Sequence, residues 1–208
     1  NGNLYIAGGI EENETTDKLE VYDINKKTWT ILSSAPSKRR RGTMVAFEEY
    51  LYFLGGFDEN RKANTSLDLY DTVTDTWETT SQLPFATVDI SAEVINRYIY
   101  IVGAGTSTPF ESLFALSIDS LEWEIQAPMP YPKVSVATVV LDNKLYVIGG
   151  NQSNGMDIYD PASDSWVSQS KMPQGRSKPI AGAIADKIYV TGGYRSSVIN
   201  SVIKYTQP

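Results

Sequence analysis

The stretch Leu51-Tyr52-Phe53-Leu54-Gly55-Gly56 decides the fold, because the chain repeats it four more times. The other copies begin at Leu4, Ile99, Leu145 and Ile188, and the first glycines of successive copies are 43 to 48 residues apart. A segment of this length that recurs along a chain is one supersecondary unit, which cannot bury its own faces and stacks against its neighbours. The 208 residues are therefore expected to form a repeat protein.

Each full repeat contains four short segments with the patterns of β-strands. In the second repeat, residues 43–47 and 51–54 are apolar runs typical of buried strands. Residues 66–70 alternate between apolar and polar side chains, as in a half-exposed strand, and a fourth strand begins at Trp77. Turn-forming residues separate these segments, and no helical periodicity competes with them. We name the strands a, b, c and d and predict an all-β fold of antiparallel four-stranded sheets.

Aromatic residues recur at fixed places in these repeats. Tyrosine precedes tryptophan by seven residues at Tyr22, Tyr70 and Tyr159, and Leu116 takes the tyrosine place in the third repeat. Together with the glycine pair, this pattern resembles the kelch repeat over essentially the whole chain. The resemblance implies a kelch-type β-propeller, in which four-stranded blades pack around a common axis. The third repeat departs most from the pattern, since Ala104 also replaces its second glycine.

Five repeats are visible, and they predict a single domain. They cover approximately residues 1–36, 37–84, 85–130, 131–173 and 174–208. The first begins at strand b and the last stops after strand c, so the first and last blades are predicted to be incomplete. Three explanations stay open: the chain is part of a larger one, a partner chain completes the blades, or the molecule is a stable open fragment.

The composition argues against several classes of function. The chain has no histidine and no cysteine, which excludes Ser-His-Asp and Cys-His catalysis, His-ligated zinc and the copper oxidases that the kelch resemblance would otherwise bring in. A net charge of -7 argues against a nucleic-acid or anionic membrane surface. We expect a soluble protein without a metal or other cofactor. The compartment, cytoplasmic or extracellular, is unknown from the sequence.

Antiparallel strand order places the b–c loops and the d–a loops on one face. These loops vary in length and chemistry, whereas the opposite turns are short and regular, and binding residues concentrate in variable loops on a rigid scaffold. We therefore predict that the b–c and d–a loop face carries the binding site. Its candidate residues are cations and two aromatic residues that follow a glycine pair: Arg39, Arg41, Lys133, Arg176, Lys178, Arg195, Phe57 and Tyr194.

Two positions in the d–a loops are equivalent when the repeats are aligned on strand b. The first is occupied by Arg39, Thr87, Lys133 and Arg176. The second is occupied by Arg41, Asp89, Ser135 and Lys178. Cations at the first position could form a ring at the mouth of the propeller channel, suited to a carboxylate, a phosphate or an acidic peptide. The alternative is that they cap strand ends and pair in solvent with Glu11, Glu12 or Asp17.

Glu93 stands out because it occupies a strand a position where other repeats have Val45, Val139 and Gly182. A carboxylate there lines the channel, pairs with a cation such as Arg41, or is desolvated with a raised pKa, the state that suits a general acid or base. Asp89 lies four residues earlier and is expected on the same side of the strand. The two are candidates for an acid/base pair.

Three functions remain open. The kelch resemblance implies a protein-binding scaffold or adaptor, whose partner is a protein or peptide with an acidic segment. The enzymatic alternative is a sugar mutarotase similar to the bacterial sialic acid mutarotases, which are metal-free kelch propellers; Glu93 would then be the acid or base, and Arg41 and Arg176 would bind the carboxylate. The third is a carbohydrate-binding propeller in which Phe57 and Tyr194 stack on a small sugar. Of these three functions we favour protein binding over catalysis.

Overall fold

The computed structural model describes residues 2–103, 111–169 and 171–206. Within these ranges the only regular secondary structure is the β-strand, which confirms the all-β prediction. The chain divides into two compact units, Asn1–Val88 and Asp89–Pro208. Ala104, the substituted second glycine of the third repeat, lies outside the described residues.

The first unit holds two sheets and a short hairpin. Its strands are β1 (Asn3–Ala7), β2 (Ile10–Glu11), β3 (Glu14–Thr15), β4 (Leu19–Asp23), β5 (Thr28–Leu32), β6 (Thr43–Phe47), β7 (Tyr50–Leu54), β8 (Ser66–Asp71) and β9 (Thr76–Gln82). Blade 1 (residues 3–32) is the three-stranded sheet β1-β4-β5, and blade 2 (residues 43–82) is the four-stranded sheet β6-β7-β8-β9. Strands β2 and β3 pair as a hairpin within the first b–c loop, which was not predicted.

The second unit holds three sheets. Its strands are β10 (Ser91–Ile95), β11 (Tyr98–Val102), β12 (Leu113–Ser117), β13 (Trp123–Gln126), β14 (Val136–Leu141), β15 (Lys144–Gly149), β16 (Met156–Asp160), β17 (Ser165–Gln169), β18 (Ile180–Ile184), β19 (Lys187–Thr191) and β20 (Val202–Thr206). Blade 3 (residues 91–126) and blade 4 (residues 136–169) are four-stranded, and blade 5 (residues 180–206) has the order β18-β19-β20.

The blades at the two ends of the chain are incomplete, as predicted. Within the described residues, blade 1 has no strand a and blade 5 has no strand d. Consecutive strands pair antiparallel in the meander order of a propeller blade, which confirms the fold class. None of the described residues belongs to a helix long and apolar enough to cross a lipid bilayer.

Strand register explains the seven-residue spacing of tyrosine and tryptophan. Tyr70 on β8 lies opposite Trp77 on β9, and Tyr159 on β16 lies opposite Trp166 on β17. The ring centroids of these pairs are 4.9 and 5.2 Å apart, within the distance range of favourable aromatic pairs. A tight c–d turn therefore brings the two rings together on one face of blades 2 and 4.

The glycine pair is required because a neighbouring backbone passes close to it. Gly56 has a φ of 93°, and a Cβ on it would lie 2.8 Å from the carbonyl oxygen of Arg40. At the equivalent Gly150, a Cβ would lie 2.6 Å from the carbonyl oxygen of Val134. Only glycine combines a left-handed conformation with this approach. In the second and fourth repeats the glycine pair therefore lets the b–c loop lie against the adjacent d–a loop.

Apolar side chains pack neighbouring blades together inside each unit. Between blades 1 and 2 the core is centred on Leu19, Leu51 and Tyr70. In the second unit one core joins blades 3 and 4, and another, which includes Val139 and Ile188, joins blades 4 and 5. These cores hold the loops in fixed positions.

Candidate functional site

The first of the two equivalent d–a loop positions, the one predicted to form a ring of cations, lies in the interior of the protein. Arg39, Thr87 and Arg176 have no exposed surface, and Lys133 is 5% exposed. The expected ring of solvent-facing cations is therefore not what these residues form. Nor does Arg39 pair with the acidic residues of the first loop, since Glu11 forms its ion pair with Lys18 at 2.6 Å.

In blade 2 the buried cation joins a polar network within its own sheet. Arg39 forms an ion pair with Asp68 on β8, and its Nη2 also donates to the hydroxyl of Ser66 at 2.7 Å. Ser66 in turn donates to Asp68 at 3.2 Å, and Thr79 donates to the other carboxylate oxygen at 2.7 Å. Burial lowers the pKa of Arg39, and the charge of Asp68 opposes this shift. The network holds the d–a loop against strand c.

The guanidinium of Arg39 has an aromatic contact as well. It lies over the ring of Phe53, 4.5 Å from the ring centroid. A desolvated cation over an aromatic face gains a favourable electrostatic interaction with it. Arg39 is therefore held from two sides, by the carboxylate and by the ring.

Blade 4 repeats the network with one change. Lys133 forms an ion pair with Asp157, and Ser168 donates to the second carboxylate oxygen of Asp157 at 2.6 Å. Gly155 stands where blade 2 has Ser66, four residues before the strand c tyrosine. The hydroxyl that bridges cation and carboxylate in blade 2 is therefore missing from blade 4.

Blade 5 has the cation without the carboxylate. Arg176 donates to the carbonyl oxygens of Gly192 and Ser201 at 2.8 and 3.0 Å, and to the Ser201 hydroxyl at 2.8 Å. Ile203 stands in the place of Asp68. Among the residues that the structure describes, Arg176 has no ion-pair partner and its Nε has no acceptor. Burial lowers the pKa of Arg176.

The backbone at this position joins consecutive blades. The second glycine of a pair donates its N–H to the carbonyl of the buried residue in the following d–a loop: Gly9 to Arg39 at 2.8 Å, Gly56 to Thr87 at 2.9 Å and Gly150 to Arg176 at 2.8 Å. Within each unit the b–c and d–a loops therefore emerge side by side, as strand order predicts. The buried cations position these loops.

The second equivalent position has a shared backbone conformation. Arg41, Asp89, Ser135 and Lys178 all have left-handed φ values, between 51° and 57°. Few side chains favour this region, so the recurrence marks a fixed turn before strand a. Lys178 is exposed and forms an ion pair with Asp89 at 3.1 Å.

A cavity of about 450 Å³ in the first unit brings together two of the predicted binding residues, Arg41 and Phe57. We call it the arginine pocket; it is lined by Ile10, Asn13, Arg40, Arg41, Phe57 and Arg61. The guanidinium of Arg41 lies 5.4 Å from the centroid of the Phe57 ring. Arg40 donates to Thr15 on β3 at 3.2 Å. The unpredicted β2-β3 hairpin therefore forms one wall of the pocket.

Arg61 and Arg41 are the two exposed cations of the arginine pocket. Arg61 is exposed at the tip of the second b–c loop, and no ion pair to it occurs among the described residues. Its φ of 62° fixes a tight turn there, in which its N–H donates to the carbonyl of Asp58 at 3.2 Å. The glutamates of the first loop line a separate cavity with Lys38. The Arg61 side chain therefore faces solvent at the edge of the arginine pocket.

Tyr194 and Arg195 are exposed in the last b–c loop. Tyr194 pairs with Ser177 and Val198 through isolated β-bridges, as Phe57 does with Arg40 and Ala63. The two aromatic residues are thus structurally equivalent, as the sequence indicates. Half of the surface of Tyr194 is exposed, whereas Phe57 is partly covered.

Glu93 is partly buried on β10, directly opposite Tyr100. Its carboxylate accepts a hydrogen bond from the Thr138 hydroxyl at 3.1 Å. Burial raises the pKa of Glu93, and the hydrogen bond from Thr138 partly offsets the rise. Strand β10 begins at Ser91, so Asp89 lies before it in a left-handed turn and the expected alternation along one strand does not relate the two carboxylates. Their partners also differ, Thr138 and Lys178 respectively.

No cluster of metal-ligating side chains occurs among the residues that the structure describes.

The family profile of the KLHDC2/KLHL20/DRC7 Kelch-repeats domain matches residues 1–150. The chain belongs to the kelch-repeat family. A Kelch motif also matches residues 132–173, which include all of blade 4. The five sheets are therefore kelch blades, and the glycine pair, tyrosine and tryptophan are the kelch signature that the sequence indicated.

Several curated kelch proteins are similar to parts of the chain. Beta-scruin of Limulus polyphemus is 23% identical over 114 residues, which are 51% of this chain and 12% of the scruin. Kelch-like protein 40 of Xenopus laevis is 32% identical over 56 residues, or 27% of this chain and 9% of that protein. The influenza virus NS1A-binding protein homolog of Xenopus laevis is 34% identical over the same length. The matches thus cover about a tenth of each relative.

A solved structure, that of YjhT, superposes on the whole kelch chain. The TM-score is 0.87, and the match covers 100% of this chain and 79% of YjhT, at 15% sequence identity. Identity this low shows a common fold and nothing about activity.

Arg40 and Arg61 are not among the binding residues predicted from the sequence. The fold places both beside Arg41 and Phe57 in the arginine pocket. The signal available in the sequence was that an arginine-rich d–a loop precedes a b–c loop with its own arginine, and that such loops share one face. Asp68 and Asp157 were not predicted as site residues either, and they are the buried partners of Arg39 and Lys133.

Proposed function

We propose that this kelch domain is a protein-binding module that holds an acidic segment of a partner in the arginine pocket. The observation that carries the proposal is the meeting of Arg40, Arg41 and Arg61 with Phe57 around one cavity of about 450 Å³. The guanidinium group of arginine binds a carboxylate through two parallel hydrogen bonds. Arginine and large aromatic residues also contribute much of the binding energy at protein–protein interfaces. The proposed ligand is an extended peptide that carries glutamates or aspartates around one large apolar side chain.

The family supports a binding role. Its relatives include the NS1A-binding protein homolog, whose name records a protein partner, and Kelch-like protein 40. The loop face supports it as well, since buried networks fix the loop backbones before any ligand arrives. A preformed site loses less conformational entropy on binding than a flexible one.

Arg39, Lys133 and Arg176 act in this proposal as positioning residues rather than as ligand contacts, because they are buried. Arg41 and Phe57 contact the ligand. Lys178, Arg195 and Tyr194 would extend the binding surface along the loops of blade 5.

The test is a fluorescence anisotropy titration with a labelled peptide that contains glutamates flanking a single tryptophan. The expected result is saturable binding that weakens as salt is added, because exposed charge pairs are screened. Arg41→Glu and Arg61→Glu are each expected to weaken binding by about tenfold or more. Lys26→Glu makes a comparable charge change in the c–d turn of blade 1, where the lysine side chain is 79% exposed, and is expected to change little.

Equal affinity for a peptide in which lysines replace the glutamates would contradict the proposal. So would an equal loss of binding in the Lys26→Glu control, because the effect would then follow net charge and not the pocket.

A sugar mutarotase is the second candidate, and the raised pKa of Glu93 favours it. A carboxyl group whose pKa is raised by burial is better suited to donate and accept a proton than one that stays fully ionised. NMR exchange spectroscopy of sialic acid anomers would detect the activity as accelerated interconversion, which Glu93→Gln would abolish. An unchanged rate in the presence of wild-type protein would exclude this activity.

A further inference from the structure

Blade 4 contains a cavity with a buried ion pair at its floor. The cavity measures about 390 Å³, within the usual range for small-molecule sites. We call it the lysine pocket. Its lining includes Lys133 and Asp157, both at most 5% exposed, together with Gly155, Ser168 and the exposed Tyr131. It lies in the second unit and does not depend on the arginine pocket.

Comparison of the blades shows what the lysine pocket lacks. In blade 2 the Ser66 hydroxyl accepts from Arg39 at 2.7 Å and donates to Asp68 at 3.2 Å. In blade 5 the equivalent Ser201 hydroxyl accepts from Arg176 at 2.8 Å. Blade 4 has Gly155 there, and a Cβ at Gly155 would lie 3.9 Å from Lys133 Nζ.

Because Gly155 has no hydroxyl, the Lys133–Asp157 ion pair at the floor of the lysine pocket keeps unused hydrogen-bond donors and acceptors. An ammonium group has three donors, and among the described residues Asp157 is the partner that Lys133 Nζ contacts. Asp157 accepts from Lys133 and Ser168 and retains further lone pairs. A buried cation whose N–H donors have no acceptor destabilises the folded protein, so an acceptor is expected to bind there.

We propose that the lysine pocket binds a small neutral polyhydroxylated ligand of monosaccharide size, with one ligand hydroxyl in the place that Ser66 occupies in blade 2. The group that fills this place accepts from the cation and donates to the carboxylate. A neutral hydroxyl does both, whereas an ionised carboxylate cannot donate, and the negative charge of any anion at this place is repelled by Asp157.

The upper part of the pocket fits the same class of ligand. Ser153 and Asn154 line it with groups that can donate or accept. Tyr131, which is 67% exposed, presents a ring at the entrance on which an apolar sugar face can stack. Asn154 is fixed by hydrogen bonds to and from Met172 at 3.1 and 2.8 Å, so the loop is already in place.

The test is a set of NMR titrations of the isotope-labelled chain with D-glucose, D-galactose and N-acetyl-D-glucosamine. At least one of these sugars is expected to shift the amide signals of Gly155 and Ser153 in a saturable way. Gly155→Ser supplies the hydroxyl from the protein and is expected to abolish binding. It should fold, because blades 2 and 5 have serine at this place and the nearest contact of the new Cβ would be the Ser153 hydroxyl at 3.2 Å.

Three further variants test the contribution of the hydroxyl at position 155 separately from that of the Tyr131 ring. Gly155→Ala adds the Cβ without a hydroxyl and is expected to keep most of the affinity. Tyr131→Ala is expected to weaken binding roughly fivefold, and Tyr131→Phe to retain it, because the ring and not its hydroxyl makes the contact. The proposal is overturned if none of the three sugars shifts these signals, or if Gly155→Ser binds as well as the wild type.

Discussion

The indole N–H of Trp166 donates a hydrogen bond to the carbonyl of Ala127 at 2.8 Å, and so joins blade 4 to the end of blade 3. The N–H of the same Ala127 donates to the carboxylate of Asp164 at 2.8 Å, and Asp164 also accepts from the Tyr159 hydroxyl at 2.7 Å. Blade 4 therefore satisfies both backbone groups of one residue in blade 3.

The same arrangement recurs in the first unit. Trp77 donates to the carbonyl of Ser33 at 2.8 Å, and the N–H of Ser33 donates to Asp75 at 2.9 Å. Tyr70 donates to Asp75 at 2.7 Å. In blades 2 and 4 the kelch tyrosine and tryptophan thus fix the residues that follow the preceding blade.

Replacing Trp166 is therefore expected to weaken the contact between blades. Trp166→Ala should lower the free energy of unfolding by about 3 kcal/mol, at the low end for a tryptophan because the ring is only partly buried. Trp166→Phe keeps a ring and loses the hydrogen bond, so it should cost about 1 kcal/mol. Urea denaturation followed by circular dichroism measures both. If both variants lost the same free energy of unfolding, the aromatic ring that phenylalanine retains would add no stability, which would contradict this expectation.

The buried pair of Arg39 and Asp68 predicts a strong dependence of stability on both partners. Arg39→Thr should cost about 3 to 5 kcal/mol, because it leaves a buried carboxylate without its cation. The double variant Arg39→Thr/Asp68→Phe copies the residues that the third repeat has at these places, Thr87 and Phe114. It should recover much of the loss, and a double-mutant cycle from urea denaturation gives the coupling between the sites. Additive losses would show that the pair is not coupled.

Glu93 is expected to make stability depend on pH in a direction unusual for a carboxylate. Because burial raises its pKa in the folded state, the folded protein binds this proton more tightly than the unfolded chain does. The stability it contributes is complete below the ordinary glutamate pKa and is lost as pH rises through the raised value. Glu93→Gln should remove this pH-dependent loss of stability. Urea denaturation midpoints of both proteins, measured between about pH 4 and pH 7, would detect the difference.

A second variant isolates the cause of the shift in the pKa of Glu93. Thr138→Val removes the hydroxyl whose hydrogen bond holds the pKa down, so it should raise the pKa of Glu93 further and move the fall in stability to higher pH. A shift to lower pH would contradict the assigned role of Thr138.

The architecture could be predicted from the sequence because the signal is repeated. Five copies of the strand b motif, four of which keep both glycines, fix strand b, and the spacing from tyrosine to tryptophan fixes the c–d turn. The β2-β3 hairpin was missed because two-residue strands have no periodicity to detect.

The site could be predicted only in part. Arg41 and Phe57 were both predicted on the loop face, and both line the arginine pocket. Arg39 and Lys133 were placed at the surface, whereas both are buried. Charged residues are seldom buried unless paired, and their partners Asp68 and Asp157 lie 29 and 24 residues away. No local pattern links such distant positions, so only the fold could reveal the pairs.

The most direct test of the proposed binding face is site-specific photo-crosslinking to the acidic peptide. A photoreactive residue would replace either Arg61 in the arginine pocket or Val73 in the c–d turn of the same blade, where the side chain is 79% exposed. Both positions lie on exposed loops, so incorporation should leave the fold intact. We predict that position 61 crosslinks to the peptide and position 73 does not; crosslinking at position 73 alone would contradict the account.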